Sequence, residues 1–225
     1  MWPYASATLK SAWRSPMAWS LLVLGGLTGW FATSAAILAL DDAGAQSQPL
    51  TLSTAQLVGV LLALWLTGRS LDEDRHSGFA AAADAAQPGP GGRLLGRWLG
   101  ATLAGGGLAL LTATAIAAVA RVEQPPVLLL LSTSIMAPAV VSAWAVLLGN
   151  VWRGAGATLT VFLLWLLGHL PWGVAPYLDG LFGRLVGGIL PGPRTAGTID
   201  TLGYTSAAVA GLLLVTLALS RPAEA

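Results

Sequence analysis

Residues 17–40 read MAWSLLVLGGLTGWFATSAAILAL, a stretch without a single charged side chain. The hydrocarbon core of a bilayer is about 30 Å thick, so a helix that crosses it needs roughly 20 apolar residues in a row. Five further stretches qualify or nearly qualify. One of them, residues 157–178, contains His169, Pro171 and Pro176, so we expect its second half to be bent or broken. The six predicted spans are residues 17–40, 50–68, 98–120, 126–152, 157–178 and 201–220. The sequence therefore predicts an all-α integral membrane protein with six transmembrane helices in one domain, residues 1–225.

The composition of the whole chain agrees with a membrane protein. Of the 225 residues, 55% are hydrophobic and only 9% are charged, whereas soluble domains carry about 25% charged residues. So few charges cannot cover a soluble surface, but lipid is as apolar as the side chains themselves. Lys10 is the only lysine, and without a basic patch we expect no nucleic-acid partner. Cysteine is absent, which excludes disulfides and thiolate metal sites.

The segment between the fifth and sixth predicted spans, residues 179–200, is too apolar for a solvated loop and too charged to cross the membrane. Arg184 would lie in the middle of any helix drawn through it, and Gly187 and Pro191 interrupt it. We expect short re-entrant helices that dip into the outer membrane face before the last span. A surface loop is the alternative.

The placement of arginine and lysine predicts the orientation. With the N-terminus in the cytoplasm, eight of the 11 cations fall on the inner side and three on the outer side. The eight inner cations are Lys10, Arg14, Arg69, Arg75, Arg93, Arg97, Arg153 and Arg221. We therefore expect a multi-pass protein of the bacterial cytoplasmic (inner) membrane with both termini in the cytoplasm.

Residues 2–15 precede the first span and predict an amphipathic helix that lies in the inner membrane interface. Its predicted anchors are two tryptophans in the headgroup region and two cations near lipid phosphate: Trp2, Trp13, Lys10 and Arg14. A secretory signal peptide is the competing interpretation. The apolar run of residues 17–40 is much longer than the ~7–15 residues of a signal core, which favours the membrane span.

The sequence carries no catalytic motif. No G-x-x-x-x-G-K-[ST] occurs, so we expect no ATP hydrolysis by that route. The only histidines are His76 and His169. A serine of the spans could in principle pair with a histidine, and His169 could bind haem or a metal. Polar side chains within spans more often hydrogen-bond to neighbouring helices, so we expect neither an enzyme nor a metal site.

Residues 69–97 are predicted to form the only long cytoplasmic loop. A charged cluster, Asp72-Glu73-Asp74-Arg75, is followed by an alanine-rich stretch and by the turn sequence of residues 87–92. A charge cluster beside a span is often only a solvated cap. A short helix held between two spans by a Pro/Gly turn would instead be a rigid projection, on which a soluble partner could press.

At this segment the chain resembles the permease subunits of ABC transporters of the ABC-2 type. Those permeases carry, just after the second span, an acidic-Arg-x-x-Gly motif, then a short helix, a proline about ten residues on, and Gly-Lys at the start of the third span. This chain has Asp74-Arg75-His76-Ser77-Gly78, then Pro88, then Gly96-Arg97. Arg97 replaces the usual lysine, and Phe79 replaces the usual threonine. The sequence Arg14-Ser15-Pro16 before the first span and the outer segment ending at Pro191 are also similar to those permeases.

The resemblance implies a complex of two permease copies, or two related permeases, with two cytoplasmic ATPase subunits that dock on the loop. ATP and magnesium would be bound by those partners, and this chain would hold no cofactor. The residues that would couple the ATPase to the membrane part are Asp72, Glu73, Asp74, Arg75, Gly78, Phe79, Pro88 and Arg97. A membrane anchor or assembly subunit without transport activity is one alternative. The haem-exporting permease of cytochrome c maturation is a narrower one.

Overall fold

The fold is seen in a computed structural model that describes residues 2–39, 43–76, 90–120, 127–152 and 154–169, together with positions 210, 211 and 214. Across these residues the chain forms helices and no strands. The helices are α1 (Trp2–Arg14), α2 (Pro16–Ala39), α3 (Ala43–His76), α4 (Pro90–Ala120), α5 (Val127–Val151) and α6 (Gly154–His169). The predicted all-α fold is therefore confirmed for the described part of the chain.

Four of these helices are long and apolar enough to cross a membrane. The candidate spans are Pro16–Ala35, Leu50–Glu73, Gly91–Ala120 and Leu130–Gly149. They correspond to the first four predicted spans, and they make the chain a multi-pass membrane protein in character. The apolar helix α6 has 16 residues and coincides with the first part of the predicted fifth span.

The remaining sequence predictions concern residues outside the described part. The re-entrant segment, residues 179–200, lies there entirely, as do Gly78, Phe79 and Pro88. Of the predicted sixth span, only positions 210, 211 and 214 are described, and they are helical.

The helix bounds differ from the predicted spans at the charged loop. Helix α3 continues without interruption to His76, and α4 already begins at Pro90. Residues 69–76 and 90–97, which the sequence placed in the cytoplasmic loop, are thus extensions of the two membrane helices. Residues 77–89 lie outside the described part of the chain. Hydropathy marks only the apolar part of a helix, whereas good helix formers such as Leu, Arg and Glu continue it into water. Proline is favoured in the first helical turn, which agrees with the start at Pro90.

Helices α1 and α2 meet at a capped corner. The Ser15 amide donates a hydrogen bond to the Ala12 carbonyl oxygen at 3.0 Å, and the Met17 amide donates to Ser15 Oγ at 3.1 Å. A serine N-cap followed by proline at the first helical position is a favoured start of a helix. Trp19 Nε1 also donates to the Trp13 carbonyl oxygen at 3.1 Å, which ties α2 back to α1.

Helix α3 lies at the centre of the bundle and packs against α2, α4, α5 and α6. Gly59 of α3 and Gly105 of α4 cross with backbone against backbone, beside Pro138 of α5. A Cβ atom at Gly105 would lie 2.5 Å from the Gly59 carbonyl oxygen and 3.1 Å from Pro138 Cβ. Only glycine lets two backbones approach this closely, and small residues at helix crossings are the usual packing device in membranes.

Helix α2 lies at the edge of the bundle and exposes an apolar face. Its exposed large side chains are Trp19, Val23, Leu24, Leu27, Trp30 and Phe31, and Phe31 is 72% exposed. In water such a surface would be unfavourable, whereas in a bilayer it contacts lipid tails.

Candidate functional site: the charged end of the bundle

All described charged residues lie at one end of the bundle. They belong to α1, the last two turns of α3 or the first two turns of α4: Lys10, Arg14, Arg69, Asp72, Glu73, Asp74, Arg75, Arg93 and Arg97. The neighbouring helices reach the same end, because Gly149 of α5 packs against Leu71, and Gly68 packs against Thr158 of α6. We call this region the charged end.

Within α3, Arg69 connects an aromatic ring to a carboxylate. Arg69 Nε donates to Glu73 Oε1 at 2.7 Å, and the two side chains are 50% and 58% exposed. The guanidinium carbon of Arg69 also lies 5.5 Å from the centre of the Trp65 ring, within the range of a cation–π contact. Ion pairs exposed to this degree contribute at most about 1 kcal/mol, so the Arg69 side chain can change partners at little cost.

The start of α4 is tied to two other helices by consecutive side chains. Arg97 Nη1 donates a short hydrogen bond to the Ser70 carbonyl oxygen of α3. Trp98 Nε1 donates to the Ala139 carbonyl oxygen of α5 at 2.9 Å. These contacts place Arg97, which the resemblance to ABC-2 permeases implied as a coupling residue, directly against the last turns of α3.

Two clefts flank the charged end of α3, one on each side. The α6 cleft lies between α3 and α6 and has a volume of about 480 Å³. Its α3 wall is formed by Trp65, Gly68, Arg69, Asp72 and Glu73, and its α6 wall by Ala155 and Thr158. Asp72 and Glu73 are the two acidic coupling residues whose side chains are described, and both border this opening.

The α1 cleft lies on the other side, where α1 crosses α3 and α4, and has a volume of about 420 Å³. Helix α1 contributes hydroxyl groups through Tyr4, Thr8 and Ser11, and α4 contributes Arg97. The α3 side of the same cleft is formed by Leu66, Arg69, Ser70 and Glu73. Arg69 and Glu73 thus lie between the two openings and border both.

The predicted coupling residues differ in how much of each is described. Three have described side chains that border the clefts: Asp72 borders the α6 cleft, Arg97 borders the α1 cleft, and Glu73 borders both. Asp74 and Arg75 belong to the last turn of α3, and the structure describes their backbone but not their side chains. Gly78, Phe79 and Pro88 lie outside the described residues, as stated above.

The predicted interfacial helix forms as α1, and its four predicted anchors divide between solvent and bundle. Trp2 is 65% exposed, and Lys10 and Arg14 are exposed as well. Trp13 is half-buried and packs against the cluster that includes Ala101 and Leu108 of α4. Ala5 and Ala12 are buried, so the packed face of α1 is formed by small residues.

Sequence reasoning missed Arg69 and Tyr4 as site residues. For Arg69 a signal was present, since Trp65 and Glu73 stand four residues before and after it, on one helical face. For Tyr4 the sequence offers no signal, because its place in the cleft depends on how α1 crosses the other helices.

Within the described residues, no group of three or more histidine or acidic side chains is placed to hold a metal ion. Among the described residues of the spans, Ser142 Oγ of α5 donates to the Pro138 carbonyl oxygen at 2.6 Å. It also lies 3.3 Å from Thr102 Oγ1 of α4. This arrangement is typical of polar groups that join transmembrane helices.

Comparison with known proteins adds no assignment to this geometry. No family model matches the chain, and no curated protein or solved structure matches it significantly.

Proposed function

We propose that this chain is the membrane permease subunit of an ABC-2 type ABC transporter, which moves a substrate across the membrane with energy from separate cytoplasmic ATPase subunits. The resemblance of Asp74-Arg75-His76-Ser77-Gly78, Pro88 and Gly96-Arg97 to the permease motif supports this assignment. A second copy of the chain, or a related permease, would complete the membrane part.

The observation that carries the proposal is the continuity of α3. One helix of 34 residues runs from Ala43 to His76, a length of about 51 Å at 1.5 Å per residue, which exceeds the ~30 Å hydrocarbon core. Its end carries the charged cluster Asp72–Arg75 beyond the apolar part. A force applied to that cluster would be transmitted along a rigid helix to the Gly59–Gly105 crossing at the centre of the bundle.

The charge distribution supports a cytoplasmic location of this end. All six described cations, Lys10, Arg14, Arg69, Arg75, Arg93 and Arg97, lie at the charged end, and cytoplasmic segments are the ones enriched in arginine and lysine. In the proposed orientation, cytoplasmic ATPases that bind ATP and magnesium would meet the end of α3 directly.

In the proposed mechanism, the ATPase subunits close on ATP and displace the end of α3. Coupling requires contacts that differ between two states of the bundle. The Arg69 side chain borders both clefts, and within the described part of the chain it makes an exposed ion pair and a ring contact. Opening one cleft while closing the other would therefore cost little at this position.

Affinity purification tests the partner. We expect the tagged chain, extracted from bacterial membranes in a mild detergent, to retain a soluble ATPase subunit that mass spectrometry identifies and that hydrolyses ATP in the complex. If the chain retains only proteins without a nucleotide-binding site, even after cross-linking in intact cells, the transporter assignment is wrong. An anchor or assembly function would then take its place.

The double variant Asp74→Ala/Arg75→Ala tests the coupling contact. We expect it to insert normally and to lower the membrane-dependent ATPase activity of the complex about tenfold, the size of effect expected when charge-assisted hydrogen bonds are lost. Lys10→Gln is the control, since it removes an exposed charge of the same end from α1. Unchanged ATPase activity in the double variant would remove the end of α3 from the mechanism.

A further inference from the structure

We propose that the bundle has a water-admitting site around Gln56, which is closed in this structure and opens when α3 and α5 separate there. The site lies beyond the Gly59–Gly105 crossing, on the side away from the charged end. We call this part of the bundle the far half: the residues of α3 before Gly59, of α4 after Gly105 and of α5 before Pro138. The inference goes beyond the proposed function, because the isolated chain would show the opening without nucleotide.

The Gln56 side chain carries a buried amide that the closed bundle satisfies only in part. The side chain is 2% exposed, and its Nε2 donates to the Thr133 carbonyl oxygen of α5 at 3.3 Å. Among the described residues, its Oε1 has no hydrogen-bond partner. Rotating the amide by half a turn does not help, because it would place Oε1 against the Thr133 carbonyl oxygen, and both are acceptors.

Water reaching this amide would satisfy both of its ends. A buried polar atom without a partner carries its full cost of desolvation, and that cost disappears when water contacts the atom. The bond to Thr133 is longer than the usual N–H···O distance of about 2.7–3.2 Å, so little is lost when bonds to water replace it. The Gln56 amide therefore favours an open, hydrated state over the closed one.

The apolar packing around Gln56 resists opening less than the packing on the other side of the crossing. The described buried cluster of the far half consists of two leucines and three alanines: Leu52, Leu130, Ala55, Ala109 and Ala113. A second cluster, which extends toward the charged end, includes larger side chains: Leu21, Leu62 and Leu66, with Trp13 and Trp65 packed against it. Segments that bury little apolar surface open most easily.

The chemistry of the far half selects a neutral ligand. Its described part contains no charged residue, but it buries further hydrogen-bonding side chains, such as Thr51 of α3 and Ser134 of α5. An ion would have no counter-charge there and would pay a large cost of desolvation. A small neutral molecule that both donates and accepts hydrogen bonds fits instead, and water is that molecule.

Thiol labelling tests the opening, since the chain has no cysteine of its own. Ala113→Cys places one thiol in the far half, and Ala101→Cys places one about three turns nearer the charged end on the same helix. Both alanines are 1% exposed. The full-length single-cysteine proteins, in lipid nanodiscs without nucleotide, react with water-soluble methanethiosulfonate ethylsulfonate or with lipid-soluble N-ethylmaleimide. When opening and closing are fast, the labelling rate reports the population of the open state.

We expect the water-soluble reagent to label Ala113→Cys at least about fivefold faster than Ala101→Cys. Adding Gln56→Met, which removes the amide but keeps a similar shape, should slow the labelling of Ala113→Cys about tenfold. The same addition should leave the labelling of Ala101→Cys within about twofold.

Thr112→Val is the matched control for Gln56→Met. The Thr112 hydroxyl is buried and donates to the Leu108 carbonyl oxygen at 2.8 Å, and the Thr112 methyl group lies beside Gly25 of α2, away from α5. We expect this substitution to leave the labelling of Ala113→Cys within about twofold.

Several outcomes would overturn the proposal. Equal labelling of the two thiols in the chain that retains Gln56 would exclude an opening of the far half, and this result requires no Gln56 variant to fold. Reaction of Ala113→Cys with N-ethylmaleimide alone would show that lipid enters and water does not. No slowing by Gln56→Met would remove the amide from the opening, and equal slowing at both thiols would indicate a general gain in stability. None of these outcomes bears on ATPase binding, so the proposed function stands or falls separately.

Discussion

Helices α3 and α4 contact each other in two different ways. At the centre of the bundle, Gly59 and Gly105 bring backbone against backbone, so that a Cβ atom at Gly105 would lie 2.5 Å from a carbonyl oxygen. At the charged end, the same two helices are joined by the long side chain of Arg97, which reaches the Ser70 carbonyl oxygen. Two clefts flank the second contact.

The difference indicates where the bundle is rigid and where it can adjust. Close-packed interiors resist displacement because any shift creates overlap or a void. Exposed polar contacts exchange for water at little cost. The Gly59–Gly105 crossing therefore acts as a fixed point, and the charged end is the part in which a change of angle between α3 and α4 is least costly. This is the property that the proposed coupling to an ATPase requires.

The largest expected effect is a loss of stability when a methyl group is added at the Gly59–Gly105 crossing. Gly105→Ala would place a methyl group 2.5 Å from the Gly59 carbonyl oxygen and 3.0 Å from Ala63 Cβ, and backbone cannot move aside as a side-chain tip can. Overpacking of this kind costs about 1–3 kcal/mol, or more where backbone must shift. We expect the unfolding midpoint of the detergent-purified protein to fall by about 5–10 °C, measured by tryptophan fluorescence.

Gly26→Ala is the matched control for the crossing. A Cβ atom at Gly26 of α2 would meet nothing within 4 Å, so the same substitution adds a methyl group in open space. We expect its midpoint to stay within about 2 °C of wild type. Equal loss of stability in both variants would show that the glycines act through helix propensity and not through close contact, and the crossing would no longer be a fixed point.

An intermediate effect of opposite sign is expected at Gln56, in the interior of the bundle. Its side chain is 2% exposed, and its Nε2 donates to the Thr133 carbonyl oxygen at 3.3 Å. Its Oε1 has no hydrogen-bond partner among the described residues. A buried polar atom without a partner costs about 1–3 kcal/mol. We therefore expect Gln56→Met, of similar shape, to raise the stability by about 1 kcal/mol in the same unfolding measurement.

Thr112→Val serves as the comparison for Gln56. The Thr112 hydroxyl is buried but donates to the Leu108 carbonyl oxygen at 2.8 Å, so its removal should bring no gain. If Gln56→Met lowers the unfolding midpoint, the Gln56 amide oxygen has a partner in the folded protein, and the interior of α3 is better satisfied than the packing indicates.

The first four spans could be predicted from the sequence because a membrane span requires only about 20 consecutive apolar residues. A run of residues such as 126–152 without charge has few other uses than to cross lipid, and the corresponding helix α5 begins at Val127 and ends at Val151. The extensions of α3 and α4 were missed because a charged helix in water and a charged loop have similar hydropathy.

The packed faces could not be predicted. Helix α2 is apolar on all sides, so its sequence does not mark which side faces the bundle, and lipid is as apolar as the protein core. Gly25 and Gly26 are neighbours in the sequence, yet Gly25 packs against Val58 whereas Gly26 faces open space. Only the positions of the other helices distinguish them.

The candidate site at the charged end could be predicted only in part, because some of its contacts are local in the sequence and others depend on how the helices pack. The Arg69–Glu73 pair is local and follows from four-residue spacing. The contact between Arg97 and Ser70 joins residues 27 positions apart and depends on the angle between two helices. The α1 cleft depends on a third helix in addition.

The smallest effect on stability is expected at the charged end itself. Glu73→Gln removes the exposed ion pair with Arg69, and we expect a change in the free energy of unfolding below about 1 kcal/mol. The Debye length falls to about 3 Å at 1 M ionic strength, so the difference from wild type should shrink further as sodium chloride is raised from about 0.05 M to about 1 M. Lys10→Gln removes an exposed charge without a described ion pair, and it should show neither the loss nor the salt dependence.

A loss in Glu73→Gln as large as that of Gly105→Ala, persisting at high salt, would mean that the charged end is as rigid as the crossing. The two contacts between α3 and α4 would then no longer differ in kind, and the end of α3 could not serve as the adjustable part of the bundle.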